Sequence, residues 1–230
     1  DIQTLILQSN KYLRAIAPSP IQPDLAEEFA YRIPARPQFI GRHRELSSIL
    51  DYLRPGARPW LVVIEGAGGT GKSALAIEAA HLCADQKFFD LIIWMTAQER
   101  YLQDDGTEEV KPDFLTLEDM LEIIGRVAKF SISDLPLDAK RKAIDGLLST
   151  KRSLLIIDNF ETVRDEGIRK FLKFHIPDPS KAIITSRLQI SSGELISLKG
   201  LLLSEIKPFI QSIVVRVHDI VDTFGSRHRE

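Results

Sequence analysis

Residues 66 to 73 read GAGGTGKS, and these residue types at this spacing suit one chemistry, the holding of a polyphosphate. Gly66, Gly71, Lys72 and Ser73 fill the pattern G-x-x-x-x-G-K-[ST]. The glycines let the backbone curl until successive N–H groups face one hollow, and a Cβ there would block the close approach of phosphate. Lys72 brings a mobile cation to the β- and γ-phosphates. Ser73 offers a hydroxyl to Mg2+, a hard ion that prefers oxygen ligands and keeps several waters. Ser73 also stands where a helix opens, and the N-terminal N–H groups and dipole of a helix favour an anion.

Two further stretches carry candidate chemistry. Residues 153 to 161 read SLLIIDNFE, an apolar run that ends in Asp158. A buried strand of this kind delivers its last carboxylate to the edge of an α/β sheet where ligands bind. An Asp placed there can hold Mg2+ on the phosphates. Residues 181 to 187 read KAIITSR, a short strand ending in Thr185, Ser186 and Arg187. Beside a triphosphate, Arg187 would make a forked, charge-assisted contact with the γ-phosphate. The acidic stretch with Asp104, Asp105, Glu108 and Glu109 reads as a solvated loop rather than a metal site.

The surrounding elements must place these residues. An apolar, β-rich run from Trp60 to Ile64 leads into the glycine-rich loop, and a helix-forming run from Ala74 to Ala84 leaves it. This is the strand–loop–helix setting the motif needs. FFDLIIWMT over residues 88–96 reads as a buried parallel strand. Thr116 and Asp119 have the spacing of a capping box, ahead of helical spacing through Leu117, Leu121, Ile124 and Val127. Helices are expected over 43–53, 137–149 and 164–174, and a fifth strand over 194–199. A helix over 1–17, closed by Pro18, Pro20 and Pro23, and another from Ser204 through Ile220 flank this core.

Composition sets the bounds. With 44% hydrophobic residues and a formal net charge of −2, the chain reads as an ordinary soluble globular protein. That charge offers no electrostatic reason to expect nucleic acid or a membrane as partner. No apolar run approaches the length of a transmembrane helix, and no signal peptide is visible, so a cytoplasmic location is expected. The single cysteine, Cys83, reads as a small buried apolar residue. The chain opens on Asp1 rather than methionine, and a piece of a longer protein is one reading of that.

FIGRHREL (39–46), GAGGTGKS (66–73), LLIIDNFE (154–161) and IITSR (183–187), in this order, resemble the signal-transduction NTPases with numerous domains, in particular the NB-ARC subgroup. That group includes plant disease-resistance proteins, apoptosome scaffolds and bacterial regulators. The resemblance implies an α/β P-loop NTPase fold, a three-layer α/β/α sandwich on a five-stranded parallel sheet in the order 5-1-4-3-2. Residues 37–200 would be the nucleotide-binding domain, after an N-terminal helix and Pro-rich linker (1–36) and before a helix that starts a further domain (201–230). Phe39, Ile40 and Arg42 would sit near the adenine and ribose. Gly66, Gly68, Gly69, Thr70, Gly71, Lys72, Ser73 and Ala74 would wrap the phosphates. Ser73 and Asp158 would hold Mg2+, and Arg187 would sense the γ-phosphate, with Lys72, Asp158, Glu161 and Arg187 as the catalytic set. ATP, ADP and Mg2+ are the implied ligands. Self-association of the full-length protein in its ATP state is the implied assembly.

The chain departs from the family pattern at Asn159, where many relatives carry a second acidic residue. An amide cannot act as a general base at neutral pH, so hydrolysis is expected to be slow, with Glu161 as the alternative group to position water. The helical and winged-helix modules that follow in relatives are not expected within these residues, and VHD at Val217–Asp219 is expected to be a coincidence, since it comes too soon after Arg187 for the family's sensor motif. Three functions follow from the residues: a switch ATPase, a binding module without hydrolysis, and a metabolic or motor P-loop enzyme. No N-K-x-D guanine-recognition sequence occurs, which disfavours GTP. The switch ATPase, converting ATP to ADP and phosphate, is the expectation carried forward.

Overall fold

The computed structural model describes residues 30–36, 39–97, 112–174, 176–200 and residue 206. The helices expected over 1–17 and from Ser204, the VHD triplet and nearly all of the acidic loop lie outside the described residues. Six parallel strands form one sheet: β1 Ala30–Arg32, β2 Leu61–Gly66, β3 Leu91–Thr96, β4 Ser153–Asp158, β5 Lys181–Ser186 and β6 Glu194–Leu198. Among the described residues the helices that accompany them are α1 His43–Leu53, α2 Lys72–Asp85, α3 Leu117–Val127, α4 Leu137–Thr150 and α5 Glu166–Phe174. None of the described helices is long and apolar enough to cross a membrane.

The apolar runs make central strands because they are buried on both faces, and alternate residues serve opposite layers. Val63, Ile93, Leu155, Ile157 and Ile184 join one core, under α3, α4 and α5. Val62, Ile64, Ile92, Trp94, Ile156 and Ile183 join the other, under α1 and α2. This is the expected three-layer α/β/α architecture. The alanines at positions 76, 79 and 80 of α2 are fully buried, so this helix lies close on the sheet directly behind the glycine-rich loop.

The sheet runs β1-β3-β4-β5-β2-β6. Without β1, the five remaining strands stand in the order 5-1-4-3-2, and β5 separates the Asp158 strand from the glycine-loop strand as expected. The sheet nevertheless has six strands rather than five. Ala30–Arg32 pairs in parallel with Leu91–Ile93 at the far edge. Three residues, Ala-Tyr-Arg, carry no legible period; their strand character comes from the exposed β3 edge, reinforced where Tyr31 Oη donates to Phe89 O at 3.0 Å.

Helix starts follow local chemistry. The Thr116/Asp119 capping box forms, with Asp119 N donating to Thr116 Oγ1 at 3.2 Å and Thr116 N to Asp119 Oδ2 at 2.9 Å. Helix α5 begins at Glu166 rather than at 164, because Asp165 turns its carboxylate onto the N–H groups of Gly167 (2.6 Å) and Ile168 (3.1 Å). At the other end of the sheet, the buried Lys181 ammonium donates to the carbonyls of Tyr52, Ala57 and Pro59 at 2.7–2.9 Å. This ties the connection between α1 and β2 to β5.

Candidate nucleotide site

Strands β2, β4 and β5 all finish at the same edge of the sheet, and their last residues make the site. Gly66 ends β2 where β6 approaches closely: a Cβ there would lie 2.7 Å from Leu198 O and 2.9 Å from Thr70 Oγ1. Gly69 and Gly71 adopt φ of 75° and 90°, the left-handed region that side chains avoid. With nothing within 4 Å of either would-be Cβ, these two glycines are required by backbone conformation rather than by space. The turn they allow carries the chain from β2 into α2. Leu75 N makes the first helical bond, to Gly71 O at 2.9 Å, so the N–H groups of Lys72, Ser73 and Ala74 have no acceptor within the helix. They are the donors a phosphate group needs.

Lys72 is 7% exposed and its ammonium donates to Gly66 O and Ala67 O, both at 2.9 Å. Burial, with the nearby Arg187 charge, lowers its pKa; Glu161 and Asp158 act against that shift. A polyphosphate in the loop would supply an anion to this buried cation, which here meets only carbonyl oxygens.

The Asp158 carboxylate, 7% exposed, receives three hydrogen bonds. Ser73 Oγ donates to Oδ1 at 2.7 Å, Thr185 Oγ1 donates to Oδ1 at 2.6 Å, and Asn159 Nδ2 donates to Oδ2 at 3.0 Å. Residues far apart in sequence therefore converge at the foot of the glycine loop. The donor set of a serine hydroxyl and one carboxylate fits Mg2+, which is usually bound through one or two carboxylates together with waters and substrate phosphates. Among the described residues, no group of three or more His, Cys, Asp or Glu side chains could hold a metal ion. Ser73 and Asp158 are the residues that would hold it.

Arg187 follows β5 and is more than half exposed, with Nε 3.2 Å from Glu161 Oε1. Its own N–H donates to Glu161 Oε2 at 3.2 Å. The guanidinium carbon stands 3.8 Å from where a Gly68 Cβ would be, so it leans over the crest of the loop. Lys72, Asp158, Glu161 and Arg187, singled out from sequence, thus share one electrostatic neighbourhood.

The segment expected at the adenine and ribose is divided. Phe39 packs on the core beneath α1 and α2, and Ile40 is half-buried. Arg42, buried at 6%, directs its guanidinium to Thr70 O (3.2 Å), Lys199 O and Glu45 Oε1 (3.1 Å). It clamps the phosphate loop to the end of β6 from a left-handed backbone (φ 59°). Sequence reading placed Thr185 at a strand end but gave it no role in the site. Its only signal was a small hydroxyl residue at the end of a strand destined to neighbour the Asp158 strand.

Comparison with known proteins bears on the fold and the family. The transcription activator GutR of Bacillus subtilis (strain 168) is 26% identical over 215 residues, covering 86% of this chain and 24% of that protein. The chain therefore spans about a quarter of that relative's length. Two solved structures share the fold. They are the Walker-type ATPase PABY2304 of Pyrococcus abyssi (TM-score 0.53, 15% identity, covering 83% of this chain and 62% of that one) and the ORC2 protein of Aeropyrum pernix in ADPNP–ADP complexes (TM-score 0.51, 16% identity, covering 81% and 55%). The NB-ARC domain family matches residues 42–193, from the arginine that clamps the phosphate loop to the turn before β6. That match takes in more than half of the chain, and the chain belongs to the NB-ARC domain family.

Proposed function

We propose that this chain is the nucleotide-binding core of a signalling switch, which binds ATP or ADP with Mg2+ and hydrolyses ATP slowly to control conformation and self-association of a longer protein. The observation that carries the reading is the convergence of Ser73, Asp158 and Thr185 beneath the glycine loop, with Arg187 leaning over it. In this reading the backbone from Gly66 to Ala74 receives the phosphates, and Lys72 leaves the loop carbonyls for the β- and γ-phosphates. Ser73 and Asp158 would hold Mg2+, which would supply charge neutralisation on the phosphates. Phe39 and Ile40 flank the base, while Arg42 supports the loop from behind. Residues 37–200 are the nucleotide-binding unit in this reading, and strand β1 (Ala30–Arg32) extends its sheet beyond β3. The similarity to a transcription activator supports a regulatory role rather than a metabolic one.

One observation favours a second reading, a binding module without hydrolysis. Asn159 stands where many relatives carry a second acid, and its Nδ2 donates to Asp158 Oδ2 at 3.0 Å; an amide there cannot act as a general base. The residues then separate nucleotides by affinity alone.

The test is nucleotide content and affinity. Purified chain is denatured, released nucleotide is identified by ion exchange, and ADP and AMP-PNP affinities are measured with Mg2+. Bound or readily bound adenine nucleotide is expected, and Lys72→Ala is expected to weaken it by at least about tenfold, the loss of one charge-assisted contact. Undiminished affinity in Lys72→Ala overturns the phosphate-loop assignment. Single-turnover release of phosphate from ATP then separates the switch ATPase from the binding module.

A further inference from the structure

We propose that Glu161 sets the preference of this site between nucleoside diphosphate and triphosphate, by occupying Arg187 as a built-in stand-in for a terminal phosphate. The proposal rests on the reading of the site as an ATP and ADP site and adds to it the residue that biases the choice. Glu161 grips Arg187 at two points. One carboxylate oxygen faces the side-chain Nε and the other accepts the backbone N–H, each at 3.2 Å. The two partners are unequal in freedom. The Glu161 side chain is only 13% exposed, against 58% for that of Arg187.

Glu161 is also held in place by its neighbours. It sits in the 3-10 turn Phe160–Thr162, whose Phe160 is only 7% exposed and whose Thr162 Oγ1 bonds to Ala97 O (2.5 Å) and Asn159 O (2.9 Å). The carboxylate is therefore the fixed end of the pair, and the guanidinium is the end able to swing. Its reach matters, because it already lies 3.8 Å from the Gly68 Cβ position at the crest of the loop.

A γ-phosphate competes with Glu161 Oε1 for this guanidinium, since each brings an anionic oxygen to the same cation. ADP has no group at that position and leaves the pair closed. Triphosphate binding thus includes the cost of opening one ion pair, whereas diphosphate binding does not. Only a differential contact of this kind shifts an equilibrium between two liganded states. The pair is solvent-accessible on the arginine side, so its expected influence is about two- to fivefold in affinity.

The experiment is a double-mutant cycle on the full chain, reading AMP-PNP and ADP dissociation constants with saturating Mg2+. Glu161→Ala is expected to tighten AMP-PNP about two- to fivefold while leaving ADP unchanged. Glu161→Gln, which keeps the shape of the turn, is expected to move the ratio in the same direction by less, and it stands in should the alanine variant fold poorly. In an Arg187→Ala background the Glu161 substitutions are expected to change nothing. An unchanged AMP-PNP to ADP ratio, a loss of AMP-PNP affinity in Glu161→Ala, or an equal shift with and without Arg187 overturns the proposal. Failure of the unsubstituted chain to bind either nucleotide would instead overturn the underlying reading of the site.

Discussion

Thr185 shows how one hydroxyl can determine the polarity of a site. Its Oγ1 accepts the Asn159 N–H at 3.0 Å, which leaves its proton for Asp158 Oδ1 at 2.6 Å. The residue is fully buried, so neither bond is shared with solvent. Asn159 completes the clasp from a left-handed backbone (φ 59°), a conformation asparagine tolerates better than most residues. The carboxylate that would hold Mg2+ is thereby oriented before any ligand arrives. Outer groups of this kind typically alter metal affinity by about 10- to 100-fold. Thr185→Val is expected to raise the Mg2+ concentration needed for tight nucleotide binding by about tenfold, with the metal-free affinity little changed. Thr185→Ser is expected to restore it. Mg2+ titrations at fixed nucleotide check this, and equal midpoints for the valine variant and the unsubstituted chain would leave Thr185 with packing alone.

At the scale of elements, Asp165 joins two helices. One oxygen of its carboxylate accepts from Gly167 and Ile168 at the start of α5, and the other accepts from Leu117 N, at 3.1 Å, at the start of α3. Negative charge at two helix N-termini is favourable at both. The closeness of the arrangement explains Gly167, where a Cβ would lie 2.8 Å from Asp165 Oδ1. Asp165→Ala removes the cap from one helix and the bridge to the other, and is expected to cost ~1–2 kcal/mol. Urea unfolding measures this directly, and a cost within error of zero would show that water replaces the cap.

The whole molecule is held together across its layers by a few long-range polar contacts added to two apolar cores. Arg36 reaches from the segment after β1 to Glu78 on α2, at 3.0 and 2.7 Å, and His81 Nε2 donates to Pro34 O at 2.8 Å. Edge strand β1 is thus tied to the helix behind the phosphate loop as well as to β3. The Arg36 hydrogen bonds, ahead of its charge, hold Glu78 below the ordinary glutamate value of 4.5 while burial opposes them. A depressed carboxylate contributes stability that is complete above the unfolded pKa and is lost as pH falls through the folded one. Arg36→Ala is expected to lower stability by ~1 kcal/mol at pH 7. The gap to the unsubstituted chain should narrow as pH falls below 4.5. Thermal melts of both proteins across pH 3 to 7 test the sign, and a gap that widens in acid would contradict it.

How much of this was legible beforehand depends on range. The glycine loop, the Asp158 and Arg187 strand ends, the Thr116/Asp119 cap and the central strands were readable because each is a local signal: a short motif, a turn residue or an uninterrupted apolar run. Family resemblance ordered those strands. Strand β1 was not readable, because its three residues become a strand only against β3. The destination of Arg42 was not readable either, since one of its acceptors, Lys199 O, is 157 residues away. The pairing of Glu161 with Arg187 and the clasp of Thr185 on Asp158 likewise join segments that meet only once the parallel sheet has formed. The sequence by itself determined which residue types stand at the ends of the strands. Only the tertiary structure decided which of them touch, because hydrogen bonds and ion pairs act over a few ångströms and chain separation carries no information about them.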